Sequence, residues 1–198
     1  MNALKNSIRP ALSVFVLLTA ITGVAYPLLV TGIAQVAFPH RANGSIVTVD
    51  GKAVGSMLIG QSFSAPKYFW SRPSATGPMA NNGVASGGSN LGANNPALID
   101  AVKERIATLR AADPSNAQAV PVDLVTASGS GLDPEISLAA AIYQAPRVAR
   151  ERGLAAEAVQ ALIEHHAHRP WLGIVGEPRV NVLALNLELD GKTVAEQR

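Results

Sequence analysis

The sequence predicts one N-terminal transmembrane helix followed by a mixed α/β domain with few strands, and three observations indicate this. Residues 10–38 form an apolar run without a charged side chain, PALSVFVLLTAITGVAYPLLVTGIAQVAF. Residues 97–111 carry apolar side chains at helical spacing, and residues 180–189 alternate as a half-buried strand does. The chain is therefore expected to combine one apolar helix with one folded domain.

The apolar run is long enough to cross a bilayer, since about 20 mostly apolar residues span the hydrocarbon core. A cleaved signal peptide is the alternative, because Lys5 and Arg9 supply a basic start and Gly23-Val24-Ala25 offers small residues for cleavage. The apolar part of a signal peptide is only about 7–15 residues long, whereas this run continues to Phe38. An uncleaved anchor is favoured, with residues 1–10 before the membrane, 11–38 within it and 39–198 beyond it.

Charges around the run predict its orientation. Lys5, Arg9 and the α-amino group precede it, while only His40 and Arg41 follow closely. Short basic flanks stay in the cytoplasm, and long domains are translocated largely regardless of their charge. The N-terminus is therefore expected in the cytoplasm and the domain outside it. The absence of cysteine fits an external domain that needs no oxidative folding.

Small residues recur within the apolar run. Thr19, Gly23 and Pro27 lie four residues apart and so share one helix face, and Gly32 adds another small residue further along. Small residues at this spacing let a second helix approach closely, although Gly and Pro are also simply common in membrane helices. We predict that this face packs against helices of a partner.

The domain carries no net charge. Removing Lys5 and Arg9 from the 16 basic residues leaves 14, which equals the 14 acidic residues. Proteins that bind nucleic acid normally show a clustered basic patch. The nearest candidate, Arg147, Arg150 and Arg152, is expected to be a solvated helix face. Nucleic-acid binding is therefore disfavoured.

The first part of the domain predicts a hairpin and an ordered loop. Asp50-Gly51-Lys52 separates two β-rich runs, and Asp-Gly is a strong hairpin signal. Residues 60–96 have no regular period but contain Phe63 and the Tyr68-Phe69-Trp70 sequence. A disordered segment would be poor in aromatic residues, so we expect this loop to be ordered.

The remainder predicts helices alternating with short strands. Asn95-Pro96 supplies an N-cap and a first-turn proline for the helix at 97–111. The other predicted elements are a strand at 120–125, a helix from Asp133-Pro134 to Gln144 that Pro146 breaks or separates from the next, a helix at 154–168 and a strand at 180–189.

Two loops rich in glycine and serine invite comparison with phosphate-binding loops. Gly83–Ser89 lacks the lysine that a Walker loop needs. Ser128–Gly131 is followed by Asp133, an anion that would itself cap the next helix. The Ser-Gly-Gly-Ser sequence also echoes the signature loop of ABC-type ATPases, but the predicted topology places it outside, where ATP is scarce. Structural turns are therefore favoured over direct nucleotide binding.

A run of potential metal ligands lies at Glu164–His168. On a helix, His165 and His168 would share a face and Glu164 would approach His168. A closed zinc site needs four ligands, and no second pair is visible in the sequence. Histidines in a last helical turn are also stabilised by the helix dipole. With no nucleophile–base pair either, neither a metal site nor a catalytic site is predicted.

Five stretches form a distinctive set of motifs. They are Tyr68–Ser74 (YFWSRPS), Ser86–Gly92 (SGGSNLG), Val122–Pro134 (VDLVTASGSGLDP), Tyr143-Gln144 with Arg147-Val148-Ala149, and Gly176–Val182 (GEPRVNV). Together they resemble the C subunit of the Kdp-type potassium-transporting P-type ATPase. The likeness extends over essentially the full chain and includes the N-terminal apolar run.

The resemblance implies a non-catalytic accessory subunit in a bacterial inner membrane. Its implied partners are a channel-like subunit that binds potassium, a P-type subunit that hydrolyses ATP, a very small accessory subunit, and membrane lipid. ATP is implied for the complex and potassium is its cargo, while no cofactor is assigned to this chain. The family is regarded as a chaperone that raises the ATP affinity of the hydrolysing subunit. With the domain outside, that effect must be an indirect coupling.

Two loop segments are candidate partner interfaces. One is Phe69, Trp70, Ser71, Arg72 and Pro73, because Trp and Arg dominate interface hot spots. The other is Ser86, Gly87, Gly88, Ser89 and Asn90. A small core under the long loop is the alternative use of the aromatic residues. Two competing functions are an anchored protein that binds a small ligand in a deep pocket and an anchored hydrolase with a nucleophile–base pair.

Overall fold

The computed structural model of the chain describes residues 2–170 and 176–192. Its contacts divide the described residues into two compact units, one ending at Ser45 and the other beginning at Ile46. The first contains the apolar helix, and the second is an α/β domain with few and short strands. The predicted fold class is confirmed to that extent.

The first unit is dominated by one long helical segment. It comprises α1 (Asn2–Ala20), a π-helical turn (Ile21–Ala25) and α2 (Tyr26–Ala37). Within it, Ser7–Ala37 is a 31-residue stretch that contains an 18-residue window with a mean hydropathy of 2.1. This length and composition suffice to cross a membrane.

The π turn ends two residues before Pro27, and the proline accounts for it. Proline has no N–H to donate to the carbonyl four residues earlier, and its ring collides with that carbonyl in a regular α-helix. In the wider turn, the Tyr26 N–H donates to the Ile21 carbonyl, five residues back. The Thr22 hydroxyl adds a hydrogen bond of 2.7 Å to the Leu18 carbonyl. The helix thus continues through Pro27 without a break.

The apolar helix ends at a side-chain clasp. Phe38 leaves the helical conformation, and the short helix α3 (Pro39–Ala42) follows. The side-chain amides of Gln35 and Asn43 bond reciprocally, with N···O distances of 3.2 and 3.1 Å. Asn43 also donates to the Pro39 carbonyl at 2.7 Å. These bonds tie the end of α3 to the last turn of α2.

The second unit begins with the hairpin that the sequence predicts. Strands β1 (Ile46–Val49) and β2 (Lys52–Ser56) pair antiparallel, with Val49 opposite Lys52. Asp50 and Gly51 both have positive φ, 50° and 75°, as the tight hairpin turn requires. The hairpin prediction is confirmed.

Helix α4 (Pro96–Ala112) also agrees with the prediction. The Asn95 side chain accepts a hydrogen bond from the Ala97 N–H, and Pro96 occupies the first turn.

The strand predicted at 120–125 is wrong. That segment contains a 3-10 turn at Val122–Leu124, in which the Val125 N–H bonds back to Val122 instead of to a neighbouring strand.

The helix predicted from Asp133-Pro134 begins later than expected. Asp133 caps the Glu135 N–H at 3.0 Å, but the next residues form strand β3 (Glu135–Ser137). Helix α5 (Leu138–Arg152) starts after Ser137, whose hydroxyl accepts from the Ala140 N–H. Pro146 lies inside α5 and does not break it, so that expectation is wrong. The helix ends at Gly153, which has a φ of 63°.

The C-terminal elements contain the largest departure from the prediction. Helix α6 (Ala156–His166) and the two-residue strand β4 (Ala167–His168) cover the predicted helix at 154–168. Strand β5 is only Arg179–Asn181, and Val182–Leu189 forms helix α7. The Asn181 side chain caps α7 by accepting from the Ala184 N–H at 3.1 Å. The strand predicted at 180–189 is therefore wrong beyond its first two residues.

The short strands form a small antiparallel sheet with β5 in the middle, in the order β3-β5-β4. Ile136 faces Val180 in one pair, and Ala167 faces Val180 in the other. The main core surrounds this sheet and includes the fully buried Phe69, Ile136, Val148, Ile163 and Leu185. A smaller cluster joins Val47 of the hairpin to Leu183 and Leu187 of α7.

Candidate functional site

The long loop between the hairpin and α4 is held by side-chain amides from two helices. The Phe69 N–H donates to Asn186 Oδ1 at 2.9 Å, and Asn186 Nδ2 donates to the Phe69 carbonyl at 2.9 Å. In the same way Gln144 Oε1 accepts from the Trp70 N–H at 2.8 Å, and Gln144 Nε2 donates to the Trp70 carbonyl at 3.2 Å. Two buried amides thus replace a neighbouring strand along this segment.

Arg147, on α5, stabilises the same loop. Its guanidinium donates to the carbonyls of Pro66 and Tyr68 and to Gln144 Oε1. Its Cζ lies 4.5 Å from the centre of the Trp70 ring, a cation–π contact. Burial lowers the pKa of Arg147 to about 10. At 2% exposure it is not part of a solvated face, so the sequence expectation for Arg147 is wrong.

A third group of contacts holds the residues just before Phe69. The Tyr68 hydroxyl donates to Asp190 Oδ2 at 2.8 Å, and Arg152 donates to Asp190 Oδ1 at 2.8 Å. The hydrogen bond to Asp190 raises the pKa of Tyr68 above its ordinary value. Burial opposes ionisation of Asp190, but hydrogen bonds from Arg152 and Tyr68 outweigh it and lower the pKa of that carboxyl. Arg152 also donates to the Lys67 carbonyl at 2.7 Å.

Much of the first candidate interface is used inside the domain. Phe69 is 0% exposed and belongs to the core. The Ser71 hydroxyl donates to the Gln61 carbonyl at 2.5 Å, and Arg72 forms an ion pair of 2.9 Å with Asp133. Trp70 and Pro73 are half-buried. Only the outer surface of this segment is free for a partner, and Phe69 cannot contact one directly.

The second candidate segment packs against the other glycine- and serine-rich loop. The Gly87 N–H donates to the Ser130 carbonyl at 2.8 Å, and the Ser86 hydroxyl reaches the same oxygen at 3.1 Å. A Cβ on Gly88 would lie 2.9 Å from the Gly129 carbonyl oxygen. Gly131 has a φ of 68°, and a Cβ there would lie 2.7 Å from the Gly87 oxygen. The two loops therefore meet backbone to backbone, while Ser89 and Asn90 remain exposed.

An open depression lies between the hairpin and the long loop, with a volume of about 450 Å³. Its amides are already paired: Gln61 Nε2 donates to the Val54 carbonyl at 2.8 Å, and Asn81 Nδ2 donates to Ser62 at 3.2 Å. A ligand site of the deep kind presents convergent free polar groups. This depression does not favour the small-ligand alternative.

The histidines of the Glu164–His168 run do not meet as predicted. His168 leaves the helix and enters β4, opposite Arg179. Both remaining histidines instead approach Glu188, which lies on α7. His165 Nδ1 is 3.6 Å from Glu188 Oε2, and His166 Nε2 is 2.5 Å from the same oxygen. Glu164 pairs with Arg169 at 2.6 Å. The sequence offered no signal for Glu188, because it lies 22 residues away from His166 in a segment that was expected to be a strand.

The candidate packing face of the apolar helix is open in the first unit. A Cβ added to Gly23 would meet only the Thr19 methyl group, at 4.0 Å, and one added to Gly32 would meet nothing within 4 Å. Thr19, Gly23, Pro27 and Gly32 are all exposed. Thr19 and Gly23 are therefore neighbours on one side of the helix, as their spacing predicts.

Sequence reasoning missed the residues that organise the loop. Gln144 and Arg147 belong to motifs that carried the family resemblance, but neither spacing nor charge indicated that they bind the Trp70 segment. Asn186 was expected to alternate within a strand. Buried amides in a helix facing a loop without regular structure would be the signal to seek, because a buried polar group requires a partner.

Comparison with known proteins identifies the family of the chain. The family model described as "K+-transporting ATPase, c chain" matches residues 8–191. The chain is 64% identical over 187 residues to a potassium-transporting ATPase KdpC subunit of Janthinobacterium sp. (strain Marseille), covering 94% of this chain and 99% of the relative. It is 66% identical to the KdpC subunit of Polaromonas naphthalenivorans, covering 94% and 95%. The chain therefore belongs to the KdpC family, the c chain of the K+-transporting ATPase.

Proposed function

We propose that this chain is a non-catalytic accessory subunit of an ATP-driven potassium uptake complex. The match of residues 8–191 to the family carries this proposal, because it includes both the apolar helix and the folded domain. The named relatives are subunits of a potassium-transporting ATPase. The partners are a channel-like subunit that binds potassium, a P-type subunit that hydrolyses ATP and a small accessory subunit.

The apolar helix anchors the chain in the inner membrane and packs against a partner helix. Thr19 and Gly23 support this role, because they leave a shallow face on which another backbone approaches closely. Pro27 and Gly32 extend the small-residue positions along the helix. The N-terminus is cytoplasmic and the domain is external, since Lys5 and Arg9 precede the helix.

The domain stabilises assembly from outside. Exposed Ser89 and Asn90 and the outer surface of the Trp70–Pro73 segment are its candidate contacts. Because the domain lies outside, its effect on the ATP affinity of the hydrolysing subunit is a coupling free energy transmitted through the complex. ATP does not contact this chain in this proposal.

The test compares the complex assembled with and without this chain. Without it, we expect lower recovery of the other subunits and a higher KM for ATP in those complexes that form. Unchanged recovery and unchanged KM would contradict the proposal. In sealed vesicles of known orientation, a photoreactive ATP analogue should label the hydrolysing subunit from the cytoplasmic face. Labelling of this chain from the outer face would contradict the indirect coupling.

A further inference from the structure

We propose that His165, His166 and Glu188 form a binding site for a divalent transition-metal ion of the Zn²⁺ class. One ligand atom from each of the three side chains lies within 4.8 Å of the others. This site shares no residue with the candidate partner surfaces and does not depend on the proposed function. It joins two helices that are distant in sequence.

The distances suit a small metal ion. Zinc binds histidine nitrogen and carboxylate oxygen at about 2.0–2.2 Å, so neighbouring ligand atoms around it lie roughly 3.4 Å apart. His165 Nδ1 lies 3.6 Å from Glu188 Oε2. His166 Nε2 lies 2.5 Å from the same oxygen and now forms a hydrogen bond with it. Replacement of that proton by the metal requires only a small outward movement of the half-exposed Glu188 side chain.

The surrounding backbone also favours a cation. Helix α6 ends at His166 and α7 ends one residue after Glu188. The C-terminal end of a helix carries a partial negative charge that stabilises cations. The nearest arginine in sequence, Arg169, is paired with Glu164 at 2.6 Å. The end of α6 and the Glu188 carboxylate therefore contribute negative potential at this place, whereas the last carbonyl of α7, that of Leu189, already accepts a hydrogen bond of 2.8 Å from Arg152.

The ligand types set the class of ion. Imidazole and carboxylate together suit Zn²⁺ and neighbouring transition metals, whereas Mg²⁺ and Ca²⁺ prefer oxygen ligands alone. Two histidines and one glutamate leave a further coordination position for water or another ligand. Occupation would link the end of α6 to the end of α7. It would stabilise the folded domain by an amount that rises with the logarithm of the metal concentration once the site is largely filled.

The test uses the untagged full chain in detergent and ZnCl₂ alone, followed by titration calorimetry. We expect one Zn²⁺ per chain and a thermal midpoint that rises with zinc and returns with chelator. Glu188→Gln and His165→Ala should each weaken the affinity by about tenfold or more, because each removes a metal ligand. His168→Ala and His40→Ala are matched controls that should bind as the unaltered chain does.

Three outcomes would overturn the proposal. They are no saturable Zn²⁺ binding by the unaltered chain, unchanged affinity in Glu188→Gln, or an equal loss in His168→Ala. Melting in the presence of chelator shows separately whether each variant folds. If Glu188→Gln does not fold, cobalt(II) replaces zinc on the unaltered chain. The absorption bands of a four-coordinate nitrogen and oxygen site should then appear, and the spectrum of hexahydrated cobalt alone would reject the site.

Discussion

The side-chain amide of Asn186 forms both backbone hydrogen bonds of Phe69, each 2.9 Å long, across 117 residues of sequence. Asn186 is 2% exposed and Phe69 is 0% exposed. One asparagine on α7 therefore satisfies a donor and an acceptor that the loop itself leaves without a partner. A buried unpaired backbone group is costly, so this pair fixes where the loop crosses the core.

Asn186→Leu should destabilise the domain strongly. The substitution keeps a side chain of similar size but leaves the Phe69 N–H and carbonyl buried without partners, which costs about 2–5 kcal/mol. Urea unfolding of the full chain in detergent, followed by Trp fluorescence, measures the loss. Asn94→Leu on the exposed part of the loop is the control and should change stability by less than about 0.5 kcal/mol. Equal losses in the two variants would show that Asn186 is not a special contact.

Arg147→Lys should destabilise the domain although it keeps the charge. Lysine cannot reach the Pro66 and Tyr68 carbonyls and Gln144 with the same planar group, and it stacks less well on Trp70. We expect a loss of about 2–4 kcal/mol from the missing charged hydrogen bonds. Arg110→Lys, on an exposed position of α4, should be nearly neutral. If Arg147→Lys leaves the stability of the domain unchanged, the positive charge alone holds the loop.

Gly131→Ala should separate the two glycine- and serine-rich loops. Alanine at a φ of 68° is strained, by about 1–2 kcal/mol, even without a steric conflict. Its Cβ would also lie 2.7 Å from the Gly87 carbonyl oxygen. The expected total exceeds about 2 kcal/mol. Gly129→Ala is the matched control, since a Cβ there meets nothing within 4 Å. If both variants melt at the same temperature, close backbone packing is not required.

Acid should weaken the domain partly through Asp190. Hydrogen bonds from Arg152 and Tyr68 hold its pKa below the ordinary value of 3.8. A carboxyl with a lowered pKa in the folded state stabilises the protein above its unfolded pKa, and this contribution disappears as the pH falls through the folded pKa. Asp190→Asn should therefore flatten the dependence of the thermal midpoint on pH below about 4. Asp100→Asn on the exposed face of α4 should leave the slope unchanged, and the same slope in both variants would exclude Asp190.

Gly23→Leu should lower recovery of the assembled complex while the domain still folds. A leucine on this face would hold a neighbouring helix away, because small residues permit close approach. Co-purification of the other subunits measures assembly, and circular dichroism of the chain measures folding. Ala25→Leu adds the same bulk on another face of the helix and should assemble normally. Unchanged recovery with Gly23→Leu would argue against this packing face.

Local signals predicted the elements that local forces determine. Asp50-Gly51 specified the hairpin because its turn needs positive φ, and Asn95-Pro96 specified the start of α4 through capping. By contrast, Val182–Leu189 alternates in sequence but forms a helix whose first six residues are buried. A helix that is apolar on every side loses the helical period, so its sequence imitates a strand. Asn181, the N-cap, was the signal that could have corrected this.

The contacts that hold the long loop were harder to predict than the helices and strands. The aromatic residues correctly indicated that the 60–96 loop is ordered, but its partners lie on α5 and α7, far along the chain. Pairings between distant segments leave no periodic trace. The approach of Glu188 to His166 is of the same kind, and it depends on α7 being helical. Motifs and capping residues thus located the loop, while the folded chain was needed to find what holds it.

The two hydrogen bonds between Asn186 and Phe69 have a consequence for biosynthesis. The ribosome releases Phe69 long before Asn186, so the loop that contains Phe69 must wait during translation for the side chain that will hold it. A nascent chain interrupted before α7 would leave exposed the Phe69 side chain, which the finished domain buries completely. An accessible Phe69 ring would thereby distinguish an unfinished chain from a finished one.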